Sequence, residues 1–184
     1  LVSMQATGND ATKNHELRTM NFSDATFEEI NLALNSAWEA FHQYKLMPLS
    51  DRAAFMRTIG DEMLALGDLL IETAARETHL STERLISERN RTIFQLKSYG
   101  AAAEEGSWLE LRIDTGDNSR DPIKPDLRKM LIPLGPVVVF GAANFPFAYS
   151  TAGGDTACAF AAGCPVIVKA HPHHSETSQL VAGA

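Results

Sequence analysis

The sequence predicts an α/β protein in which an N-terminal helical layer and a β-ribbon arm precede a β-α-β unit. Three observations support this prediction. Apolar residues recur at helical spacing through most of the first hundred residues. The pattern then changes to an alternation of apolar and polar residues. Finally, two short apolar runs flank a segment rich in glycine and alanine, as is typical of parallel strands joined by a helix.

Composition limits the classes of function. The chain has 184 residues, of which 45% are hydrophobic and 21% charged, as in an ordinary globular protein. Its net charge of -7 argues against nucleic acid as a partner, because binding to a phosphate backbone needs a basic surplus. No apolar run approaches the roughly 20 residues that span a bilayer. We therefore expect a cytoplasmic protein with no membrane partner.

Residues 1–106 are predicted to be mostly helical, as an antiparallel layer. Residues 1–21 are polar and show no periodicity. Thr26 and Glu29 then have the spacing of a capping box, and Pro48 ends the first helix. We expect Ser50 to cap the second. The first helix has one apolar face, formed by Phe27, Ile30, Leu34, Ala37, Trp38 and Phe41.

The helical pattern continues to residue 106. Gly67 marks a break, after which a further helix starts. Ser81 is the predicted cap of a long helix that ends near Gly106.

Residues 107–134 are predicted to form the ribbon. Residues 108–113 alternate apolar and polar side chains, a long polar turn follows, and residues 127–134 form the second strand. An isolated two-stranded ribbon is marginally stable in water. We therefore expect it to lie on another part of the molecule or on another subunit.

Residues 135–184 are predicted to start a parallel sheet. The strands are 137–140 and 166–168, and a turn and helix occupy 141–163. Both strands are continuous apolar runs, so we expect them to be buried on both faces. Because a doubly wound sheet needs more strands than two, the chain is expected to be a fragment of a larger protein.

Asn144 and Lys169 each follow a predicted strand, where open α/β sheets bind ligands. The amide of Asn144 could stabilise an oxyanion, or the residue could merely cap the following helix. Lys169 could bind a ribose hydroxyl or a phosphate, or its side chain could extend from a buried strand into solvent. Position alone does not decide either pair of alternatives.

The remaining candidate site residues are predicted to have structural roles. His171, His173 and His174 form an H-P-H-H run, but no cysteine or carboxylate completes a metal site. Cys158 and Cys164 are expected to be small buried thiols rather than nucleophiles. We expect the glycines at 153–154 to allow close packing of helix and strand rather than to hold a phosphate.

The residues resemble a known family. The run PLGPVVVFGAANFPFAYSTAGGDTACAFAAGCPVIVKAHP closely resembles the coenzyme-domain segment of the aldehyde dehydrogenase superfamily, with its N-F-P turn, A-x-G-C-P step and strand-ending lysine. The earlier segments SDRAAFMRTIGDEMLALGDLL, ETHLSTERLISERNRTIFQL and EEGSWLELRID resemble the 2-oxoglutarate semialdehyde (2,5-dioxovalerate) dehydrogenase branch. Fatty aldehyde dehydrogenases of luminous bacteria share much of this pattern.

The resemblance implies a fold and an activity. Residues 1–184 would be the N-terminal part of a Rossmann-like coenzyme-binding domain, with the catalytic domain absent. In that family a cysteine thiolate attacks the aldehyde, the thiohemiacetal passes hydride to NAD or NADP, and a glutamate-activated water releases the acid. The best candidate reaction is 2,5-dioxovalerate to 2-oxoglutarate.

The resemblance also assigns roles. Asn144 would line the oxyanion hole, and Lys169 would bind the adenosine ribose. The backbone of Phe140, Gly141, Ala142 and Ala143 would pass beside the coenzyme. The ribbon would be the oligomerisation arm of a homo-oligomer, a dimer or tetramer.

Two departures qualify this interpretation. Neither cysteine resembles the family's G-Q-x-C nucleophile, and the general-base glutamate is missing, so we expect the chain alone to be inactive. The alternatives are a fatty aldehyde dehydrogenase and a non-catalytic module for nucleotide binding and oligomerisation. A thiol acyltransferase would need a histidine paired with a cysteine, which the sequence does not supply.

The coenzyme is predicted from one position. NAD-preferring relatives commonly carry a glutamate three residues after the strand-ending lysine, where this chain has Pro172. Proline neither accepts a ribose hydroxyl nor repels a 2'-phosphate. With Lys169 and His171 nearby, and with the next helix offering its amino end to an anion, we expect NADP to be favoured over NAD.

Overall fold

A computed structural model describes residues 22–184, so the expectation for residues 1–21 lies outside the described residues. Four helices come first, then a short ribbon, then a β-α-β unit and a last helix. The helices are α1 (Phe27–Tyr44), α2 (Leu49–Ala65), α3 (Gly67–Thr78), α4 (Thr82–Glu105), α5 (Gly154–Ala162) and α6 (Ser175–Gly183). The strands are β1 (Arg112–Asp114), β2 (Leu127–Lys129), β3 (Val137–Phe140) and β4 (Val166–Lys169). None of these helices is both long and apolar enough to cross a membrane.

Of the three helix caps that the sequence predicts, two are confirmed. The capping box of α1 is confirmed, because Glu29 N donates to Thr26 Oγ1 (3.2 Å) and Thr26 N donates to Glu29 Oε2 (2.8 Å). Ser81 caps α4 through the backbone N–H of Arg84, also as predicted. The cap predicted at Ser50 is wrong: α2 already begins at Leu49, after Pro48, and the Ser50 hydroxyl donates to Asp51 instead.

The core joins the helical layer to the β-α-β unit. Helix α2 packs along α4, α4 packs against α5, and α3 packs against α6. Their shared core consists of Met63, Leu70, Ile71, Ala74, Leu85, Ile93, Leu96, Phe147, Ala152, Ala157 and Val181. Phe147 belongs to the loop after β3, yet its side chain is fully buried. That loop is therefore anchored in the core of the helical layer.

The apolar face of α1 is mostly exposed. Of its six residues only Ala37 and Phe41 are buried, whereas Phe27 is 75% and Trp38 55% exposed. The helical period is as predicted, but a periodic apolar pattern does not by itself state which surface covers it.

The ribbon is shorter than the sequence suggests. Strands β1 and β2 pair antiparallel over three residues each, with Ile113 opposite Arg128. Residues 107–109 form a 3-10 helix instead of extended strand, and residues 130–134 leave the ladder. Its larger apolar side chains are exposed, among them Leu111, Ile113, Leu127, Ile132 and Leu134. The ribbon thus has no core of its own, as expected.

The β-α-β unit is confirmed with one correction. Strands β3 and β4 are parallel neighbours, and Val139 lies opposite Val168. Residues 141–153 form a long series of turns and α5 follows at Gly154–Ala162, so the turn and helix predicted for 141–163 are confirmed. Burial on both faces is wrong for this chain: Val139 is buried, but Val138 is 46% and Phe140 72% exposed.

Gly153 allows the long turn to close on itself. A Cβ atom at this position would collide with the carbonyl group of Ala148 and lie 2.9 Å from Ser150 N. The neighbouring Gly154 N donates to that carbonyl at 2.9 Å. The close packing predicted for the two glycines therefore exists only at Gly153, and it is with the preceding loop and not with a strand.

The two adjacent glycines should respond differently to alanine. We expect Gly153→Ala to lower the free energy of unfolding by about 1–3 kcal/mol, because backbone atoms must move to admit the methyl group. Gly154→Ala is the control, since its Cβ would meet only Gln95 at 3.5 Å, an ordinary contact. It should leave stability unchanged or raise it by up to about 1 kcal/mol. Urea unfolding of both variants tests this, and equal effects would contradict it.

Candidate functional site

The carboxyl ends of β3 and β4 meet at one edge of the parallel pair. Phe140 lies opposite Lys169, and Gly141 N donates to the carbonyl oxygen of Lys169 at 3.0 Å. The segments that leave the two strands therefore start side by side. This arrangement brings Phe140 and Gly141, at the end of β3, next to Lys169, at the end of β4.

The backbone after β3 is held firmly. Ala142 N donates to the carbonyl oxygen of Tyr149 at 2.8 Å. The Ala142 carbonyl in turn lies 2.8 Å from Nε2 of His174. Gly141 and Ala142 are half-buried, while Phe140 and Ala143 are exposed. A ligand can therefore reach this stretch of backbone, and these hydrogen bonds fix the backbone before the ligand binds.

Asn144 lies in the turns beyond Ala143 and is exposed. Its backbone carbonyl oxygen accepts a hydrogen bond from Nη2 of Arg84 at 2.7 Å. The alternative interpretation, that Asn144 caps the following helix, is wrong because α5 begins at Gly154 with Gly153 as its N-cap. The side-chain amide of Asn144 is therefore available for a ligand.

Glu88 of α4 fixes the segment after Asn144. Its carboxylate is buried, and Oε1 accepts hydrogen bonds from Phe147 N and Ala148 N, both at 2.9 Å. Sequence reasoning missed this residue. The signal in the sequence is helical spacing: Glu88 lies three residues after Leu85 and four before Thr92, so its carboxylate falls on the buried face of α4.

Lys169 is the last residue of β4, and His171 follows it two residues later. Lys169 is exposed and forms no salt bridge with any carboxylate of residues 22–184. Burial, and then the nearby charges of His174, His173 and Lys169, lower the pKa of His171. Its neutral Nδ1 accepts a hydrogen bond from His173 N at 3.1 Å. His171 therefore begins the 3-10 helix Pro172–His174 and adds no positive charge at neutral pH.

His174 has a structural contact that the sequence did not predict. The side chain is fully buried, and Nε2 must carry the proton, because the Ala142 carbonyl can only accept. His174 thus ties the turn after β4 to the backbone after β3. Across the described residues, no group of three or more His, Cys, Asp or Glu side chains is placed to hold a metal ion.

The amino end of α6 is not free for an anion. The Glu77 carboxylate accepts hydrogen bonds from Glu176 N (2.9 Å), Thr177 N (2.8 Å) and the Thr177 hydroxyl (2.6 Å). A carboxylate at this position satisfies the exposed N–H groups and the helix dipole. The expectation that this helix end would attract a coenzyme phosphate is therefore wrong.

The two cysteines differ in burial. Cys164 is buried as expected, but Cys158 is exposed, so the expectation fails for that thiol. The charge of Cys158 beside the Tyr99 hydroxyl is the largest cause of the raised pKa of Tyr99, with burial second. A tyrosine hydroxyl beside a thiol is not the histidine that a cysteine nucleophile needs.

Comparison with known proteins supports the resemblance read from the motifs. The alpha-ketoglutaric semialdehyde dehydrogenase 2 of Azospirillum brasilense is 48% identical over 176 residues, which is 95% of this chain and 34% of that protein. The alpha-ketoglutaric semialdehyde dehydrogenase of Acinetobacter baylyi is 44% identical over 164 residues, 89% of this chain and 31% of that protein. The chain thus spans about a third of the length of these relatives.

A solved structure agrees on the fold. The 1-pyrroline-5-carboxylate dehydrogenase from Thermus with bound NAD matches 88% of this chain and 30% of its own, at a TM-score of 0.75 and 23% identity. Residues 7–184 also match the aldehyde dehydrogenase family as a whole. These matches show that the chain belongs to the aldehyde dehydrogenase family.

Proposed function

We propose that the chain is part of an NAD(P)-dependent aldehyde dehydrogenase that oxidises 2,5-dioxovalerate to 2-oxoglutarate. The alignment of Phe140 with Lys169 at the carboxyl ends of β3 and β4, from which the loop to Asn144 continues, carries the proposal. The two curated relatives named alpha-ketoglutaric semialdehyde dehydrogenase support the substrate, since that name denotes the same compound. The site holds only part of the chemistry, because nucleophile and general base come from elsewhere in the protein.

Asn144 is proposed to stabilise the oxyanion. Attack of a thiolate on an aldehyde turns the carbonyl oxygen into an alkoxide, and an amide N–H fixed near that oxygen stabilises the charge. The Asn144 backbone is held by Arg84, and the loop beyond it by Glu88, so the backbone that carries the donor is fixed before substrate arrives. The benefit therefore appears mainly in the transition state.

The edge of the sheet also fits a coenzyme. Lys169 offers an exposed ammonium group, and the backbone of 140–143 is fixed and accessible. The Thermus relative of the same fold binds NAD, which supports a nicotinamide coenzyme here. Such a coenzyme, when bound, supplies the hydride acceptor, and Lys169 would hold the adenosine ribose.

We propose that NADP is accepted at least as well as NAD. Pro172 is exposed beside Lys169 and brings no carboxylate that would repel a 2'-phosphate. The preference rests on Lys169 and on this missing repulsion, because the amino end of α6 is occupied by Glu77.

The ribbon is proposed to join subunits of a cytoplasmic homo-oligomer, a dimer or tetramer. Its exposed apolar side chains, such as Ile132 and Leu134, would be covered in such an assembly.

Removal of the Asn144 amide tests the oxyanion role. In the full-length enzyme, Asn144→Ala should lower kcat by about 10²- to 10³-fold, while the Kd of the coenzyme changes little. Asn31→Ala, a change at an exposed asparagine of α1, is the control and should have no effect. Steady-state kinetics and coenzyme titration measure both quantities. A raised coenzyme Kd with unchanged kcat would refute the assignment.

A charge at position 172 tests the coenzyme preference. Pro172→Glu should lower the ratio of kcat/KM for NADP to that for NAD by about tenfold or more, through repulsion of the 2'-phosphate. Pro172→Gln has the same length without the charge, so it separates repulsion from loss of the proline ring. If both variants keep the wild-type ratio, the preference is set elsewhere.

The 184-residue chain on its own should not oxidise aldehydes, because neither Cys158 nor Cys164 has the setting of the family's nucleophile. The measurement is NADH and NADPH formation with a panel of aldehydes, with the full-length enzyme as the positive control. Steady turnover by the chain alone would show that its own residues complete a site.

A further inference from the structure

Two arginines of α4 flank the loop that carries Asn144. Arg84 Nη2 donates to the Asn144 carbonyl at 2.7 Å, and its guanidinium lies 5.4 Å from the centre of the Phe145 ring. Arg91 Nη2 donates to the Tyr149 hydroxyl at 3.4 Å and lies 5.8 Å from that ring's centre. The two aromatic rings meet edge to face at 5.3 Å. We call Arg84, Arg91, Phe145 and Tyr149 the arginine–aromatic patch.

Neither arginine is neutralised by an acidic partner. The chain carries 23 acidic residues and a net charge of -7, yet within residues 22–184 neither Arg84 nor Arg91 forms a salt bridge. Other exposed arginines do form them: Arg57 pairs with Glu104 and Arg76 with Glu176.

Glu88 is spaced along α4 to pair with both arginines, but it binds the loop instead. Glu88 lies four residues after Arg84 and three before Arg91, the spacing at which helix ion pairs form. Its carboxylate is buried and accepts from Phe147 N and Ala148 N instead. Both guanidinium groups therefore stay exposed and uncompensated beside the site.

Each arginine keeps most of its hydrogen-bonding capacity. A guanidinium has five N–H donors, and each of these two groups uses one on the site loop. The contacts with the aromatic rings and the loop hold the groups in place, so little side-chain entropy is lost when a ligand binds. A fixed guanidinium with free donors is suited to a carboxylate, which it binds through two parallel hydrogen bonds.

We propose that Arg84, with Arg91 beside it, binds the carboxylate of the aldehyde substrate while the aldehyde group lies at Asn144. This inference rests on the proposed function and adds to it the residue that selects the substrate. Because Arg84 donates to the backbone carbonyl of Asn144, a short molecule with an aldehyde at one end and a carboxylate at the other would span the two residues. An uncharged aliphatic aldehyde leaves the guanidinium without a partner.

The test compares two aldehydes of equal chain length in the full-length enzyme, 2,5-dioxovalerate and the uncharged pentanal. Selectivity is the ratio of their kcat/KM values. Arg84→Gln should lower this ratio about 10- to 100-fold, mainly through KM of the charged aldehyde, because a charge-assisted hydrogen bond is lost. Arg84→Lys should keep part of the selectivity. Arg57→Gln, at a paired arginine of α2, is the matched control and should keep the wild-type ratio.

A second measurement needs no variant. Added salt should raise KM of the wild-type enzyme for 2,5-dioxovalerate more than for pentanal, because mobile ions screen an exposed ion pair. An equal loss of kcat/KM for both aldehydes in Arg84→Gln would overturn the inference, since Arg84 would then only support the loop. A ratio unmoved by the substitution or equal salt effects on the two KM values would overturn it as well. A wild type that oxidises neither aldehyde would overturn the proposed function itself.

Discussion

The buried carboxylate of Glu88 fixes the loop on which the candidate site is built. It is 5% exposed, and one of its oxygens accepts both Phe147 N and Ala148 N at 2.9 Å. The loop between β3 and α5 has no regular secondary structure, so its N–H groups need partners from elsewhere. A carboxylate is costly to bury unless it is hydrogen-bonded, and bonds to an ionised acceptor are strong. The loop and the carboxylate therefore stabilise each other, and Asn144 is held at a fixed place relative to α4.

The same arrangement occurs twice more around the edge of the sheet. The Glu77 carboxylate of α3 caps α6, and the His174 imidazole binds the carbonyl of Ala142. In each case a side chain from one segment satisfies backbone groups of another that lies far away in the sequence. The helical layer is thus part of the support of the site. Its packing against α5 and the buried Phe147 explain why a two-stranded parallel pair keeps a defined position.

The sequence predicted best what depends on local interactions. The capping box of α1, the cap of α4 and the positions of β3 and β4 follow from residues only a few positions apart. The alignment of Phe140 with Lys169 follows as well, because neighbouring parallel strands end on the same side of a sheet. The lengths of the ribbon strands were overestimated, since alternation continues past the point where the ladder stops.

What the sequence did not show depends on contacts between distant residues. Glu88 and Arg84 reach the loop from 59 and 60 positions away, and on a helix they look like ordinary polar residues. The exposed face of α1 and the half-exposed β3 have apolar patterns that resemble those of buried elements. The occupied amino end of α6 could not be foreseen, because its partner Glu77 lies in α3.

The edge formed by β3 and β4 and the loop to Asn144 are proposed to hold coenzyme and aldehyde together. A crystal structure of the full-length enzyme with NADP and an unreactive aldehyde analogue tests it most directly. We expect the adenosine ribose within hydrogen-bonding distance of Lys169 Nζ, and the side-chain amide of Asn144 directed at the oxygen of the analogue. A coenzyme bound away from Lys169, or an Asn144 side chain directed away from the analogue, would contradict it.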